Sequence, residues 1–377
     1  MKRILHVVTK MDRAGQETFL MNVYRNIDRS EVQFDFLCSD PGKGDYDDEI
    51  ASMGGMIHIL PQNKLKVKYV EYFSMLANIA RHLRMMNRTM GYDTIHLHNY
   101  HSFSSLIWVT GARMAGFRNI ILHCHNTSAP HIYLHKICRP ILNLFRFNRF
   151  ACSYDAARWM YGNREAKIVF NGIEPQKFLY DVSQRMQLRK ELGLADSTTA
   201  ILHIGRFNYQ KNHKFLLDVF KVYHDSHPDS RLLLVGKGEL EEEIKAQTAS
   251  SGLTDSVMPL GIRNDIPALL HASDLFLFPS LFEGLSVVLV EAQAEGIPIL
   301  ATSNLSPETI FSVNARQLDL SKGAKEWAEA IEPTISLGRN ASASRNVAEN
   351  GFDIKAVAKD LQQFYTHSYD FFRNFAG

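Results

Sequence analysis

The sequence alternates, from its first residues onward, between short β-branched apolar runs and longer stretches with helical spacing, and few folds tolerate that pattern. Residues 4–8, 34–37, 57–60, 94–97, 120–122, 150–152 and 167–170 read as strands. Because these runs are apolar on both sides, they predict a parallel sheet covered by helices on each face. A charged, strand-poor stretch from Glu174 to Ser197 follows, and the pattern then restarts at 201–204, 232–235, 257–260, 275–278 and 297–300. Helices over 214–224 and 239–250 fall between these strands. Two such series in 377 residues predict an α/β chain of two Rossmann-like, doubly wound domains, 1–173 and 174–354. A last helix, about 355–377, carries Phe364, Phe371 and Phe375 on one face and is expected to cross back to the first domain. Ligands of such sheets bind beyond the carboxyl ends of the strands, so the residues just after each strand are the candidates.

Composition removes several other classes. With 45% apolar and 11% aromatic residues the chain is neither disordered nor collagen-like. Cys38, Cys124, Cys138 and Cys152 are too scattered for a disulfide framework, which suits a reducing cytoplasm. No apolar run reaches the length of a spanning helix, and the opening stretch breaks at Lys10 without a cleavage site, so it reads as a buried first strand. The net charge of +2 conceals a division. Residues 1–180 hold 23 Lys and Arg against 15 Asp and Glu; residues 181–377 hold 19 against 25. Between 60 and 150 the only acids are Glu71 and Asp93. A basic first half suits an anionic partner or surface.

The most informative stretch is FPSLFEGLSVVLVEAQAEGIPIL, residues 278–300. A buried strand ends at Pro279, a loop carries Glu283 and Gly284, and 285–295 reads as a helix stopped by Gly296 and Pro298. Glu291 lies in that helix among large apolar residues, where a carboxylate is costly unless it accepts hydrogen bonds. A lysine partner would satisfy it, and so would ribose hydroxyls. The helix entrance between the two glutamates offers N–H groups to an anion. After strand 201–204, Arg206 supplies a forked donor for phosphate and Lys211 a point charge, unless both are simply solvated cations. Gly236 and Gly238 add a glycine turn after the next strand.

In the first domain, Gly15 at a helix entrance would admit a ligand close to the backbone, or serve a tight turn. His96, His98, His101, His123, His125, His131 and His135 cluster within forty residues. The i,i+2 pairs 96/98 and 123/125 project from one face of a strand and raise the question of zinc, but no HExxH or acid-spaced set accompanies them. In residues 132–150, Lys136, Arg139, Arg146 and Arg149 are interleaved with apolar side chains, and no acid occurs from His131 to Ser153. That pattern suits an anionic membrane surface; an ordinary domain helix would place the same apolar residues in the core. No RNP, KH or helix-turn-helix pattern supports nucleic acid.

The chain resembles the retaining GT-B glycosyltransferases of family 4. The likeness rests on Glu283 and Glu291 within residues 278–300, HIGRFNYQKNH at 203–213, VFNGIEPQKF at 169–178 and LHCHNTS at 122–128, in order along nearly the whole chain. It implies two domains facing across a cleft, with a UDP- or GDP-sugar donor held by the second. It further implies Arg206 and Lys211 on the diphosphate, Glu291 on the ribose, and Glu283 with the N–H groups of Gly284 and Leu285 on the transferred sugar. Ile262 would lie on the base, His125 beside the sugar and Gly15 near the phosphates, although Ala14 stands where many relatives have a second glycine. Retention by same-face attack requires neither a covalent nucleophile nor a metal, so no cofactor is expected. The likeness is greatest to members that build exopolysaccharide or capsule. The implied acceptor is then a saccharide, free or linked to undecaprenyl diphosphate, and the implied location is cytoplasmic, peripheral at the inner membrane face. A nucleotide-sugar epimerase or a non-catalytic binding protein of the same fold is the alternative.

Overall fold

The computed structural model describes residues 1–61, 70–127, 131–283 and 285–367, apart from the side chains of 70–73. Gly284, Phe371 and Phe375 lie outside the described residues. The chain divides into two compact units, one formed by Met1–Gly172 with the chain from Ile354 onward, the other by Ile173–Asp353.

The first unit is built on strands β1 (Lys2–Val8), β2 (Val32–Cys38), β3 (Ile57–Ile59), β4 (Thr94–His98), β5 (Asn119–Cys124), β6 (Asn148–Ala151) and β7 (Lys167–Ile168). They form one sheet in the order β3-β2-β1-β4-β5-β6-β7, every pair parallel. The two-residue period of a strand sorts its side chains onto two cores. Leu5, Val7, Ile95, Leu97, Ile120 and Leu122 pack on one side. Ile4, Val8, Phe34, Phe36, Ile121 and Phe150 pack on the other, together with the helices Gly15–Asn26 and Ile354–His367.

The C-terminal helix docks on this unit because its apolar positions recur at helical spacing. Ile354, Val357, Ala358, Leu361, Phe364 and Tyr365 are all buried. Phe364 meets Phe150 edge-on at 4.8 Å. Lys2 Nζ donates to the carbonyl oxygens of Tyr365 (3.2 Å) and Thr366 (2.9 Å), satisfying acceptors that a helix end leaves unpaired. Lys167 pairs with Asp360 at 2.8 Å on the rim.

The second unit contains β8 (Thr199–Ile204), β9 (Ser230–Val235), β10 (Val257–Gly261), β11 (Leu275–Phe278), β12 (Ile299–Thr302) and β13 (Ala315–Leu318). Their order is β10-β9-β8-β11-β12-β13, again parallel throughout. In each sheet the chain builds outward from a central strand, then crosses to the other side of it. That reversal falls between β1 and β4 in the first unit and between β8 and β11 in the second.

Two local expectations differ. The helix expected from 285 begins at Val287, and the helical reading of 132–150 holds only for Ile132–Leu142. Residues Asn148–Ala151 join the sheet instead, where Asn148 pairs with Ile121 and its side chain hydrogen-bonds Asn119. Truncating Phe364 to Ala should cost about 3–5 kcal/mol. Urea unfolding should show an earlier transition, and an unchanged midpoint would mean that the C-terminal helix is not held by this burial.

Candidate functional site

In the second unit the candidate residues gather at the β8/β11 reversal, where loops leaving two adjacent strands diverge and open a crevice. The loop after β8 is clasped to the loop after β11. Leu281 N donates to Gln210 O (2.9 Å), Gln210 Nε2 to Phe282 O (3.0 Å) and Asn212 Nδ2 to Pro279 O (3.1 Å). Asn208 Oδ1 accepts from Lys211 N at 3.1 Å, capping the short 3-10 turn Tyr209–Lys211. Lys211 therefore has a fixed base. Its Nζ lies 2.7 Å from Glu283 Oε1, with the two side chains only 14% and 7% exposed. The same ammonium stands 4.7 Å from the centroid of the Phe278 ring.

Glycines make this packing possible. A Cβ on Gly236, whose φ is +136°, would stand 2.1 Å from the Gly205 carbonyl oxygen. The loops after β8, β9 and β10 are also joined through their backbones, by Gly205 N to Val235 O (2.9 Å) and Gly236 N to Gly261 O (2.8 Å).

Arg206 is not brought to Lys211. It is 71% exposed and pairs with Glu239 at 3.1 Å, an exposed bridge that solvent screening leaves weak. Of the two cations of this loop, Lys211 is the enclosed one. Ile262, just past β10, is exposed.

Glu291 occupies the second turn of the helix Val287–Glu295. It is half-buried, and among the described residues it has neither a lysine partner nor a hydrogen bond. Desolvation pushes its carboxyl up to about 7. The helix begins at Ser286 without a side-chain cap, so its entrance beside Leu285 keeps N–H groups for other acceptors. The far end of the helix is fixed by Glu295, which is buried against Arg339 and His271. Arg339 also donates to the carbonyl oxygens of Leu270, His271 and Ser273.

In the first unit the β1/β4 reversal lies beside Gly15, His98 and His125. Gly15 opens its helix, its φ is not left-handed, and a Cβ there would meet nothing within 4 Å. A tight turn therefore does not explain this glycine. His6, His96, His98 and His123 come from β1, β4 and β5, His125 follows β5, and the five rings share the face covered by the two helices. His6 Nδ1 is 3.0 Å from His98 Nε2, His98 Nδ1 is 2.9 Å from His125 Nε2, and His96 Nδ1 is 2.8 Å from the Tyr365 hydroxyl. Burial lowers the pKa of His6 and His125 to about 3 and that of the other three well below the usual value. These rings are thus neutral at pH 7. His98, His123 and His125 offer nitrogens within 4.8 Å of one another, as do His6, His96 and His98, against roughly 3.3 Å between ligands of a tetrahedral zinc.

The helix Ile132–Leu142 turns most of its apolar residues outward. It buries His135, Cys138 and Leu142. Tyr133, Ile137 and, just beyond the helix, Leu144 are 80%, 65% and 78% exposed. The core reading of these side chains is overturned, because one narrow stripe holds the helix to the domain. Lys136 and Arg146 are exposed, and Arg139 is half-buried against the Trp159 carbonyl oxygen at 3.3 Å. Arg149 is a correction: on β6 it is half-buried, its guanidinium lies 5.1 Å from the Phe147 ring centroid, and it contacts Asn143 at 3.4 Å. It does not belong to the exposed basic face.

Several contributors escaped the sequence reading. Asn208 and Asn212, which build the Lys211 turn, were legible as capping residues before a helix. His6 lay far from the other histidines along the chain, and nothing in the sequence joins it to them. Arg339 carried no motif.

Models of known families match almost end to end: glycosyltransferase family 4 over residues 13–177 and glycosyl transferases group 1 over 184–353. A Bacillus subtilis (strain 168) protein bearing the glycosyltransferase name EpsF is 31% identical over 97% of each chain. The capsular polysaccharide biosynthesis glycosyltransferase CapH of Staphylococcus aureus is 26% identical over 97% of this chain and 99% of its own. An Escherichia coli UDP-Gal:α-D-GlcNAc-diphosphoundecaprenol α-1,3-galactosyltransferase is 24% identical over 80% of this chain and 79% of its own. Among solved structures, Anabaena HepE in complex with UDP and glucose superposes with a TM-score of 0.76 at 19% identity, covering 97% of this chain and 100% of its own. The two parallel-sheet units and these matches agree, and the chain belongs to the family 4 glycosyltransferases, enzymes of the GT-B fold.

Proposed function

We propose that this protein transfers a sugar, with retention of anomeric configuration, from a UDP- or GDP-sugar to a lipid-linked saccharide in exopolysaccharide or capsule assembly. The observation that carries the proposal is the enclosed Lys211–Glu283 pair at the β8/β11 reversal, with Glu291, unpartnered among the described residues, on the helix that follows. Lys211 meets the diphosphate, and Arg206 joins it by leaving Glu239 at little cost. Glu283 orients hydroxyls of the transferred sugar, assisted by the N–H groups of Gly284 and Leu285. Glu291 takes the ribose hydroxyls, Ile262 covers the base, Gly15 admits the phosphates, and His125 serves the sugar. In the reaction the bond from the anomeric carbon to the phosphate oxygen breaks and its electron pair stays on that oxygen. The acceptor hydroxyl attacks on the same face, and its proton passes to the departing phosphate. Lys211 stabilises the charge that develops there, a kind of contribution typically worth about 10²–10³ in rate. This scheme asks for no metal. The donor chemistry is supported by the UDP and glucose of the HepE complex and by the UDP-Gal of the E. coli relative, and the lipid-diphosphate acceptor by that relative's name. The capsular relative supports the polysaccharide setting.

The exposed apolar side chains of the helix Ile132–Leu142, flanked by Lys136, Arg139 and Arg146, suit docking on an anionic bilayer. Beside them, a surface concavity of about 650 Å³ is lined by Lys136, Arg139 and Arg164, three cations suited to phosphate. No helix among the described residues is long and apolar enough to cross a membrane.

A thermal-shift screen against UDP-, GDP- and ADP-sugars identifies the donor by mass action. With that donor and a lipid-diphosphate saccharide, UDP or GDP release should depend on acceptor, as an epimerase would not require. Lys211→Ala and Glu283→Gln should lower kcat about 10²–10³-fold; unchanged turnover in both would remove the enzyme reading. The raised pKa of Glu291 has its own consequence. Between pH 4.5 and about 7 the unfolded carboxylate has lost its proton while the folded one retains it, so the free protein loses stability as pH rises through that window. Glu291→Gln should therefore stabilise the free protein at pH 8 by about 2 kcal/mol, change little at pH 4, and abolish most of the donor-induced shift. Equal melting curves at pH 8 would contradict the assignment. Replacing Lys136, Arg139 and Arg146 by Gln should weaken flotation with phosphatidylglycerol vesicles about 100-fold, and flotation insensitive to both charge and salt would count against docking.

A further inference from the structure

The line of histidines through the first sheet constrains itself chemically. A neutral imidazole has one N–H and one lone pair. His98 uses both, since its Nε2 lies 3.0 Å from His6 Nδ1 and its Nδ1 lies 2.9 Å from His125 Nε2. Both bonds form only when the three rings are protonated in register. If the His98 proton is on Nδ1, His6 donates from Nδ1, His125 accepts at Nε2, and the His125 proton resides on its own Nδ1. If the His98 proton is on Nε2, every bond reverses, His125 donates from Nε2, and its Nδ1 becomes a bare acceptor. A ring out of register sets two lone pairs or two N–H groups face to face at about 3 Å, in surroundings where an unmade hydrogen bond is costly. The outer nitrogens, His6 Nε2 and His125 Nδ1, are buried without hydrogen-bond partners among the described residues, so neither end by itself selects a direction.

We infer that His98 and His6 are positioning residues that fix the ring plane of His125 and couple its tautomer to their own through this hydrogen-bonded line, and so govern whether its remaining nitrogen offers a donor or an acceptor to a sugar hydroxyl. The inference rests on the assignment of His125 to the transferred sugar. A metal ion on His98, His123 and His125 would need the one lone pair with which His98 makes its bond in the line, and none of these rings has a carboxylate hydrogen-bond partner among the described residues to support a cationic centre. The observed hydrogen bonds favour the line. Burial, which keeps all three rings neutral, removes the doubly protonated form that would break the register.

Amide side chains test the two bonds separately, because the Asn amide falls near the position of a histidine Nδ1 and the Gln amide near that of Nε2. His98→Asn keeps a partner for His125, His98→Gln keeps one for His6, and His98→Phe keeps neither. In the full-length protein labelled with ¹⁵N-histidine, the free enzyme should show His6, His98 and His125 in one shared tautomer. That state should become a mixture in His98→Phe and His98→Gln and be restored in His98→Asn. His6→Phe, which leaves the ring beside His125 intact, should also shift it. With the donor selected in the thermal-shift screen, kcat should fall about tenfold in His98→Phe, with KM changed less than threefold, and recover in His98→Asn. Circular dichroism and the urea midpoint show whether each variant is folded. An unchanged His125 tautomer and kcat in folded His98→Phe overturn the inference, as does a His98→Asn variant no better than His98→Gln. Stoichiometric zinc that shifts the His98, His123 and His125 resonances together also overturns it, in favour of a metal site. Should His125→Ala leave kcat untouched while the tautomer still responds to His98, the coupling stands and the assignment of His125 to the sugar falls.

Discussion

Every paired strand of both sheets runs parallel to its neighbours, and the remaining architecture follows from that constraint. A parallel strand cannot be reached by a tight turn, so each is followed by a crossover that returns the chain to the opposite edge. All strand-to-helix turns of a unit then collect at one edge. At a reversal of strand order, two of those turns diverge and leave backbone and side chains unopposed. Lys211 and Glu283 are 72 residues apart in sequence and meet because β8 and β11 are neighbours at such a point. His6, His98 and His125 meet for the same reason at the reversal of the first sheet.

Burial separates residues of like chemistry. Arg206 and Lys211 occupy one loop, yet Lys211 is enclosed with Glu283 while Arg206 bridges to Glu239 in solvent. Solvent screening makes the second pair easily exchanged, and enclosure makes the first a fixed feature. The two glutamates differ in a similar way. Glu295 is fully buried and holds Arg339 and His271, anchoring the helix end; Glu291, one turn earlier, has no partner among the described residues and a raised pKa. The first carboxylate is structural, and the second is suited to hydroxyl donors from outside the chain.

Much of this was legible in the residues themselves. The strand runs, their restart after residue 197, and the placement of Glu283, Arg206 and Lys211 after strands follow from apolar periodicity and glycine or proline punctuation. What periodicity does not convey is pairing. The interleaved apolar and basic residues of 132–150 fit a core helix and a surface helix equally well; only the structure shows Tyr133 and Ile137 outward and Arg149 drawn onto β6. Gly15 was equally ambiguous until its φ, outside the left-handed region, excluded a tight turn that needs glycine. Asn208 and Asn212 carry a local capping signal, but the bond from Asn212 to the Pro279 carbonyl oxygen depends on a distant loop.

The sequence by itself determined the class of fold, the two-unit plan and the positions after which functional groups would emerge, because these depend on local pattern and on the handedness and parallel pairing of strands. Tertiary structure alone decided which of those groups meet, which are shielded from water and what ionisation they adopt. Those properties depend on distances between segments far apart in the chain and on the desolvation such packing imposes. The neutral histidines show this most plainly: the sequence places four of them in one cluster, but only packing brings in His6, joins it through His98 to His125, and sets His96 on Tyr365.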